Sequence, residues 1–365
     1  MASNKNQHFV PKCYLRAFAV EGVEAAINLY NIDRRRFIEC APLKHQCSGD
    51  YFYGKDADLE KALQTVEGAY GSAQHEILQP GYILSDEHRE LLKVFWLLQH
   101  LRTEAASRRA VEIAAATEAV IGTDAPLFRL EIKAAVQLAM MAFSSAIDTL
   151  RDLKGCLLRN TTSRPFITCD DPAVLTNRWY LESPSTRGCS FGLNSGGALV
   201  LLPVSPQILF LGYDGDVYSV PNNKGWVNVT REQDVRAINE HQFLNCRANI
   251  FVKNPSDSQF VHDSFVTIAP LRPKSRHVIH YAVLDRQEGG YTRYKVVDRV
   301  ASEDDREAMI HMQALTPEPA SWPSQVAWRR KGFVFYNGTG VGWVRRSATA
   351  TRGDRPYRKI LVHRG

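Results

Sequence analysis

The chain has 365 residues, of which 44% are hydrophobic and 23% charged, so it is long enough to bury one large hydrophobic core or two moderate ones. It has no apolar run of about eighteen residues, and its opening, MASNKNQHFV, lacks the apolar centre of a signal peptide; we therefore expect no membrane association and a cytoplasmic location. The net charge of +6 permits an anionic partner without requiring one.

The first segment with a recognisable pattern is QHFVPKCYLRAF at residues 7–18. Pro11 restricts the residue before it to an extended backbone, which would hold the nearby His8 in a fixed direction. Tyr14, Leu15 and Phe18 fall on one face if the segment turns helical, so we expect them in the core. The segment is therefore predicted to anchor the N-terminus.

Residues 26–40 alternate between apolar and polar on both sides of an Asn/Asp/Arg turn, which predicts a β-hairpin. The turn contains the arginine triplet of IDRRRF at 32–37, and a second basic segment forms the tail at 345–365. Each is interpreted either as a solvated surface or as a contact for nucleic acid.

Helical periodicity follows the hairpin and predicts three long helices, over residues 56–78, 85–116 and 126–153. A Pro-Gly pair ends the first, and the second begins with Ser85 as a plausible N-cap followed by two acidic residues. The N-terminal region is thus expected to be mainly a helical unit.

From residue 155 onward the pattern becomes typical of β-structure, with one amphipathic helix over 231–247. The expected strands lie at 155–160, 164–169, 199–204, 207–212, 276–284, 291–300 and 325–336. The fold class is predicted to be α+β, with about three long N-terminal helices packed with a mainly antiparallel β-sheet. We expect three units, 1–154, 155–254 and a β-rich C-terminal extension over 255–365.

The sequence does not indicate several common classes of enzyme, because their motifs are missing. The sequence contains no P-loop, no glycine-rich dinucleotide fingerprint, no HExxH and no GxSxG. Its seven cysteines form no CxxC pair, so they are expected to be reduced thiols, and a structural zinc is not expected. No organic cofactor is predicted.

Six short motifs occur in an order that resembles a known family. They are HFVPKCYLRAF at 8–18, GDYFY at 49–53, LEKALQTVE at 59–67, LLQHLRT at 97–103, FITCDDPAVL at 166–175 and LLPVSPQILFLG at 201–212. Together they are similar to the bacterial family DUF4238, over about residues 7–253. The family carries no established reaction. Where its members often have Ser-Asp-Asn-Pro, this chain has Cys169-Asp170-Asp171-Pro172, so a role of that asparagine does not transfer directly.

Two candidate site residues, His8 and Glu67, come from the first and the third of these motifs. A held imidazole at His8 can act as general acid, general base or metal ligand, or it can simply anchor the terminus by a hydrogen bond. Glu67 lies seven residues after Glu60 in a predicted helix, so the two carboxylates share a face and could bind a divalent cation; the alternative is a solvated helix surface.

Three further candidates follow. Arg102 lies three residues after Gln99 and follows a very apolar stretch, VFWLL. An arginine in such a buried element binds either a phosphate or a carboxylate with a structural role. Asp170 and Asp171 end a predicted strand, where they could converge on a cleft or cap a turn.

These residues suggest metal-dependent cleavage of nucleic acid. His8, Glu67, Arg102 and Asp170 would be catalytic, and Glu67, Asp170 and Asp171 would hold Mg²⁺ or Mn²⁺. The basic segments would attract the nucleic-acid backbone. This nuclease or phosphodiesterase hypothesis requires the residues to converge on one pocket.

Two other hypotheses use the same residues. In the first, the chain is a non-catalytic binding or sensing module for an anionic ligand or a protein partner, with His8 and Arg102 as anion contacts. In the second, the residues form a buried ion-pair network that joins the helices to the sheet.

Overall fold

The structure of the chain is a computed structural model that describes residues 5–362 except 123–129, 290, 303, 306, 340–341 and 351–355. Within this part of the chain there are eight α-helices. They are α1 (Lys12–Leu15), α2 (Ala57–Ile77), α3 (Asp86–Arg102), α4 (Glu104–Ile121), α5 (Ile132–Ile147), α6 (Arg178–Glu182), α7 (Glu232–Asn245) and α8 (Ser258–Ile268). None of them is both long and apolar enough to cross a bilayer.

The remaining regular structure consists of β-strands, most of them short. They are β1 (Asn6–His8), β2 (Ala19–Val20), β3 (Val23–Asn31), β4 (Arg36–Pro42), β5 (Ser48–Asp50), β6 (Leu153–Asn160), β7 (Thr168–Cys169), β8 (Val174–Thr176), β9 (Leu199–Ser205), β10 (Ile208–Asp214), β11 (Tyr218–Ser219), β12 (Trp226–Val229), β13 (Asn249–Val252), β14 (His277–Glu288), β15 (Tyr291–Val296), β16 (Ala308–Ala314), β17 (Ala327–Trp328), β18 (Phe333–Tyr336), β19 (Trp343–Val344) and β20 (Arg358–Leu361). Helices and mainly antiparallel sheets together confirm the α+β class.

The long helices begin where the sequence supplies caps. The Asp56 side chain accepts hydrogen bonds from the backbone N–H of Asp58 and Leu59, at 2.9 and 3.1 Å, and so starts α2. Ser85 accepts from the N–H of His88 at 3.0 Å and starts α3. These caps satisfy donors that the first turn of a helix leaves unpaired.

The helix predicted over 85–116 is two helices, which corrects the expected number. Thr103 has an extended backbone, with φ −68° and ψ 158°, and its side chain caps α4 by accepting from the N–H of Ala106. At the other end of α4, Gly122 adopts φ +68° and donates its N–H to Glu118, as a left-handed C-cap does. The region therefore contains four helices of sixteen or more residues, α2 to α5.

The third predicted helix is shorter than expected. α5 covers Ile132–Ile147, and a 3₁₀ turn over Asp148–Leu150 follows it before β6 begins. The expected start at Pro126 lies outside the described residues. The amphipathic helix predicted over 231–247 is confirmed as α7.

Two five-stranded sheets position the candidate residues. The first has the order β12-β6-β10-β9-β8, and all its pairings are antiparallel except β12 with β6. The second has the order β2-β3-β13-β7, with β4 on β3, so it contains the predicted hairpin of residues 26–40. Strand β7 is at the edge of this sheet. The two residues that follow it, Asp170 and Asp171, contact the segment just after α7 and helix α4, respectively.

The C-terminal strands form smaller sheets, with the orders β15-β14-β16 and β19-β18-β20. The strand predicted over 325–336 is two, β17 and β18, and β17 pairs with β11 of the preceding region. The boundaries at 154/155 and 254/255 between structural units stay a prediction.

The N-terminal segment is part of the largest hydrophobic core. Tyr14, Leu15 and Phe18 are fully buried there, as predicted. The Tyr14 hydroxyl lies 2.6 Å from Oγ1 of Thr168, so the segment is joined to β7 by a buried hydrogen bond. This packing fixes the position of His8, which precedes it.

Candidate functional site

The first candidate site is a cleft of about 340 Å³ beside the N-terminal segment, which we call the His8 cleft. Strand β1 pairs with β5, and the Tyr53 hydroxyl donates to the His8 carbonyl at 3.1 Å, so the backbone of His8 is held on both sides. One turn of α2 contributes Glu67. The cleft is lined by Asn6, Gln7, His8, Lys12, Cys13, Tyr53, Glu60, Leu63, Gln64, Glu67 and Gly68.

The imidazole of His8 is half-buried, and its Nε2 has no hydrogen-bond partner among the described residues. Burial, together with a smaller effect of the nearby Lys12 ammonium, lowers the pKa of His8 from 6.5 to about 4. The ring is therefore neutral at physiological pH, the form that can accept a proton or bind a metal.

Arg102 lies beneath the cleft and is paired with Glu67, with 2.7 Å between Nη1 and Oε1. The Arg102 side chain is fully buried, whereas 26% of the Glu67 side chain is exposed. With its amide oxygen facing the guanidinium, Gln99 accepts from Nε and Nη2 at 2.9 Å. Arg102 thus neutralises Glu67 from inside the protein and does not face solvent.

Asp170 lies at the end of β7, where its carboxylate receives three backbone hydrogen bonds. The donors are the N–H groups of Arg247, Ala248 and Asn249, at 2.8, 2.8 and 3.0 Å. Burial raises the pKa of Asp170 to about 6, and the three donors oppose this shift. The carboxylate therefore holds the connection between α7 and β13.

Asp171 has different partners. Its Oδ1 accepts from the Thr103 hydroxyl at 2.6 Å and its Oδ2 from Nη1 of Arg109 at 2.7 Å. The side chain is almost completely buried. Asp171 therefore fixes the break between α3 and α4.

Of the predicted site residues, the structure brings His8, Glu67 and Arg102 together, and it places Asp170 and Asp171 outside the lining of the His8 cleft. The three carboxylates predicted to bind metal, Glu67, Asp170 and Asp171, each have separate partners. Over the residues that the structure describes, no group of three or more His, Cys, Asp or Glu side chains is placed to hold a metal ion.

A second site was not predicted: a cavity of about 310 Å³ between α4, the end of α7 and the segment 272–276. We call it the arginine cavity because six of its lining residues are cationic. The lining residues are Asp33, Ala105, Arg108, Arg109, Glu112, Asn245, Cys246, Arg247, Arg272, Lys274 and Arg276.

Two of these arginines are fixed by the last turn of α7. Arg272 donates to the carbonyls of Phe243 and Cys246, and Arg276 donates to the carbonyl of Leu244. The carbonyl end of a helix carries partial negative charge, which stabilises guanidinium groups placed there. Both side chains are thereby held in place beside the cavity.

Carboxylates neutralise only part of the cationic charge. Arg109 pairs with Asp171 and Arg108 with Glu104, each at 2.7 Å. Asp33 and Glu112 are the acidic residues in the lining. Counted over the part of the chain that the structure describes, six cations against these four carboxylates leave two positive charges in excess.

The crowding of positive charge affects Arg276 in particular. Burial, together with smaller effects of the neighbouring guanidiniums of Arg109 and Arg272, lowers the pKa of Arg276 to about 10. Among the described residues, the side chains of Arg247 and Lys274 take part in no ion pair. Of the described cations, an anion entering the cavity would therefore meet Arg247 and Lys274 without an ion pair, and the mutually repulsive guanidiniums around Arg276.

The two basic segments of the sequence differ in their surroundings. The arginine triplet at 34–36 is exposed and lies next to the cavity, because Asp33 lines it and the Ile32 N–H donates to the Ala248 carbonyl at 2.9 Å. In the tail, Arg345 is buried and Arg346 pairs with Asp216. Residues 351–355 and 363–365 of the tail lie outside the described residues.

The arginine cavity gave little signal in the sequence. Its cations come from three separate segments, at 108–109, 247 and 272–276, and none of these is a strongly basic run. Only the pair Arg108-Arg109 on a predicted helix and the triplet at 34–36 could have indicated a basic surface.

Comparison with known proteins identifies a family. The family described as protein of unknown function (DUF4238) has a model that matches residues 6–256, close to the span expected from the six motifs. Comparisons with curated proteins and with solved structures give no match. Since the family match spans more than half of the 365 residues, the chain belongs to the DUF4238 family.

Proposed function

We propose that the chain is a non-catalytic binding module for an anionic ligand, and that the ligand binds in the arginine cavity. The observation that carries this proposal is the excess of positive charge in a concave site. Guanidinium groups bind phosphate and carboxylate through paired hydrogen bonds, and those of Arg272 and Arg276 are already fixed by α7. Little conformational entropy would therefore be lost when an anion binds.

The environment of the carboxylates supports binding rather than hydrolysis. A metal-dependent hydrolase needs carboxylates that are free to bind the ion. Glu67 is instead paired with Arg102, Asp170 accepts three backbone N–H groups, and Asp171 pairs with Arg109. Recruiting any of them to a metal would break a buried interaction.

Calorimetric titration with pyrophosphate and with a short single-stranded oligonucleotide tests the proposal. Arg247 and Lys274 are exposed, so the double variant Arg247→Ala/Lys274→Ala should fold normally. We expect its anion affinity to fall by about tenfold or more, because two charge-assisted contacts are removed. Arg330→Ala, which removes an exposed arginine elsewhere, is the matched control and should bind as the wild type does. Equal affinity in all three proteins would contradict the proposal.

The second candidate function is the metal-dependent nuclease or phosphodiesterase, with nucleic acid as substrate. It is supported by the meeting of His8 and Glu67 in one cleft, where the neutral imidazole has an unpaired Nε2. The test is turnover of RNA and DNA with Mg²⁺ or Mn²⁺. Activity that is lost in both Glu67→Gln and Asp170→Asn while the variants stay folded would favour this function over simple binding.

A further inference from the structure

A groove of about 800 Å³ lies between α7 and α8, and its lining combines apolar side chains with charged residues such as Arg236, Glu240 and Asp263. Phe243 lies on its α7 side, and Phe260, Ile268 and Leu271 lie on or just after α8. Its volume is in the range of pockets that hold small organic ligands, which combine apolar walls with a few polar groups. We call it the α7–α8 groove.

Two contacts hold parts of the groove lining in place. Glu240 of α7 accepts from the N–H of Ala320 at 2.6 Å, which ties the segment around residue 320 to the groove. The Arg164 guanidinium lies 4.4 Å from the centroid of the Phe260 ring. The groove is therefore bounded by α7, α8 and residues 320–321.

The α7–α8 groove adjoins the arginine cavity. Leu271, which is 40% exposed, lines the groove, and the next residue, Arg272, lines the cavity. Phe243 connects the two in the same way, since its side chain lines the groove and its carbonyl accepts from Arg272. The groove and the arginine cavity are therefore adjacent at the Leu271–Arg272 peptide bond and at the end of α7.

We propose that the ligand of the arginine cavity is a monomeric anionic amphiphile, a phosphate monoester with an alkyl chain. Its head group would pair with the guanidiniums and its chain would lie in the α7–α8 groove. This inference rests on the proposed function and adds the class of ligand. Two features favour it: none of the described residues that line the cavity is an aromatic on which a nucleic-acid base could stack, and the adjoining groove contains the apolar side chains of Phe243, Phe260, Ile268 and Leu271.

The test compares two ligands with the same head group, octyl phosphate below its micellar concentration and glycerol 3-phosphate. We expect octyl phosphate to bind at least about tenfold more tightly, since burial of even two methylenes supplies this factor. Leu271→Ser should reduce the affinity for octyl phosphate toward that for glycerol 3-phosphate and leave the latter unchanged. Leu271 is exposed, so the variant should fold; Phe260→Ser provides a second change in the same wall.

The controls separate this inference from the function on which it rests. Leu78→Ser removes an exposed leucine at the end of α2 and should leave the affinity for both ligands unchanged. Arg247→Ala/Lys274→Ala should weaken both ligands alike. Equal affinity for the two ligands in the wild type, with both weakened in that double variant, would overturn the amphiphile and leave the anion site intact. Binding of neither ligand, nor of pyrophosphate or the oligonucleotide, would overturn both.

Discussion

Glu67 provides the carboxylate that neutralises Arg102 in the interior. A guanidinium that is removed from water is stable only if its charge and its N–H groups are satisfied. Glu67→Gln keeps an oxygen that can accept a hydrogen bond but removes the charge, so the free energy of unfolding should fall by about 2 kcal/mol. Urea denaturation measures this change.

The matched control for that substitution is Glu76→Gln. Glu76 lies on the same helix, α2, but is exposed, so its loss should change the free energy of unfolding by less than about 0.5 kcal/mol. If the two variants were equally stable, the pair of Glu67 and Arg102 would contribute little and Glu67 would be available for another role.

His8 should make stability depend on pH. Its pKa is about 4 in the folded protein and 6.5 when unfolded, so between these values the unfolded chain binds a proton that the folded protein does not. The stabilising contribution of the neutral ring is complete above pH 6.5 and is lost as the pH falls toward 4. The free energy of unfolding should therefore decrease more steeply over this window in the wild type than in His8→Gln, as measured by urea denaturation at several pH values. Parallel curves would show that His8 titrates normally.

At the scale of elements, the break between α3 and α4 depends on Thr103. Its hydroxyl oxygen accepts from the Ala106 N–H and donates to the buried Asp171. Thr103→Ala removes a cap and leaves one carboxylate oxygen without its donor, so the expected loss is about 2–3 kcal/mol. Ser85→Ala removes only the cap of α3 and should cost about 1 kcal/mol. Thermal and urea unfolding of both variants measure the difference; equal losses would mean that the bond to Asp171 adds no stability.

The same break shows which elements can be predicted from sequence. Helix α2 was predicted to within a residue at each end because its apolar period spans residues 56–78 and a Pro-Gly pair follows it. At Thr103 the apolar period continues along the chain, although the backbone turns there and the Thr103 hydroxyl bonds to the buried Asp171, 68 residues away. Contacts between residues that are distant in sequence decide such boundaries, and local periodicity does not contain them.

At the scale of the whole molecule, the two candidate sites differ in how far they could be predicted from the sequence. His8, Glu67 and Arg102 could be grouped from sequence because each lies in a recognisable motif; the structure places His8 and Glu67 at one cleft and pairs the buried Arg102 with Glu67. The arginine cavity combines segments more than a hundred residues apart, at 108–109 and 247–276, and two of its arginines are positioned by backbone carbonyls. Neither feature leaves a pattern along the chain.

The C-terminal region is joined to the rest of the molecule by Arg345, which is 2% exposed. Its guanidinium donates to Asp152 and to the carbonyls of Thr149 and Leu193, all before residue 255. Arg345→Ala would leave these acceptors without a buried donor, so the free energy of unfolding should fall by about 3–5 kcal/mol. The neighbouring Arg346 is 64% exposed and pairs with Asp216 at 3.2 Å, so Arg346→Ala should cost less than about 1 kcal/mol. Urea denaturation combined with limited proteolysis measures both, and early cleavage beyond residue 255 in Arg345→Ala alone would show that this contact holds the C-terminal region in place. Equal stability of the two variants would mean that other contacts, such as the pairing of β11 with β17, hold it instead.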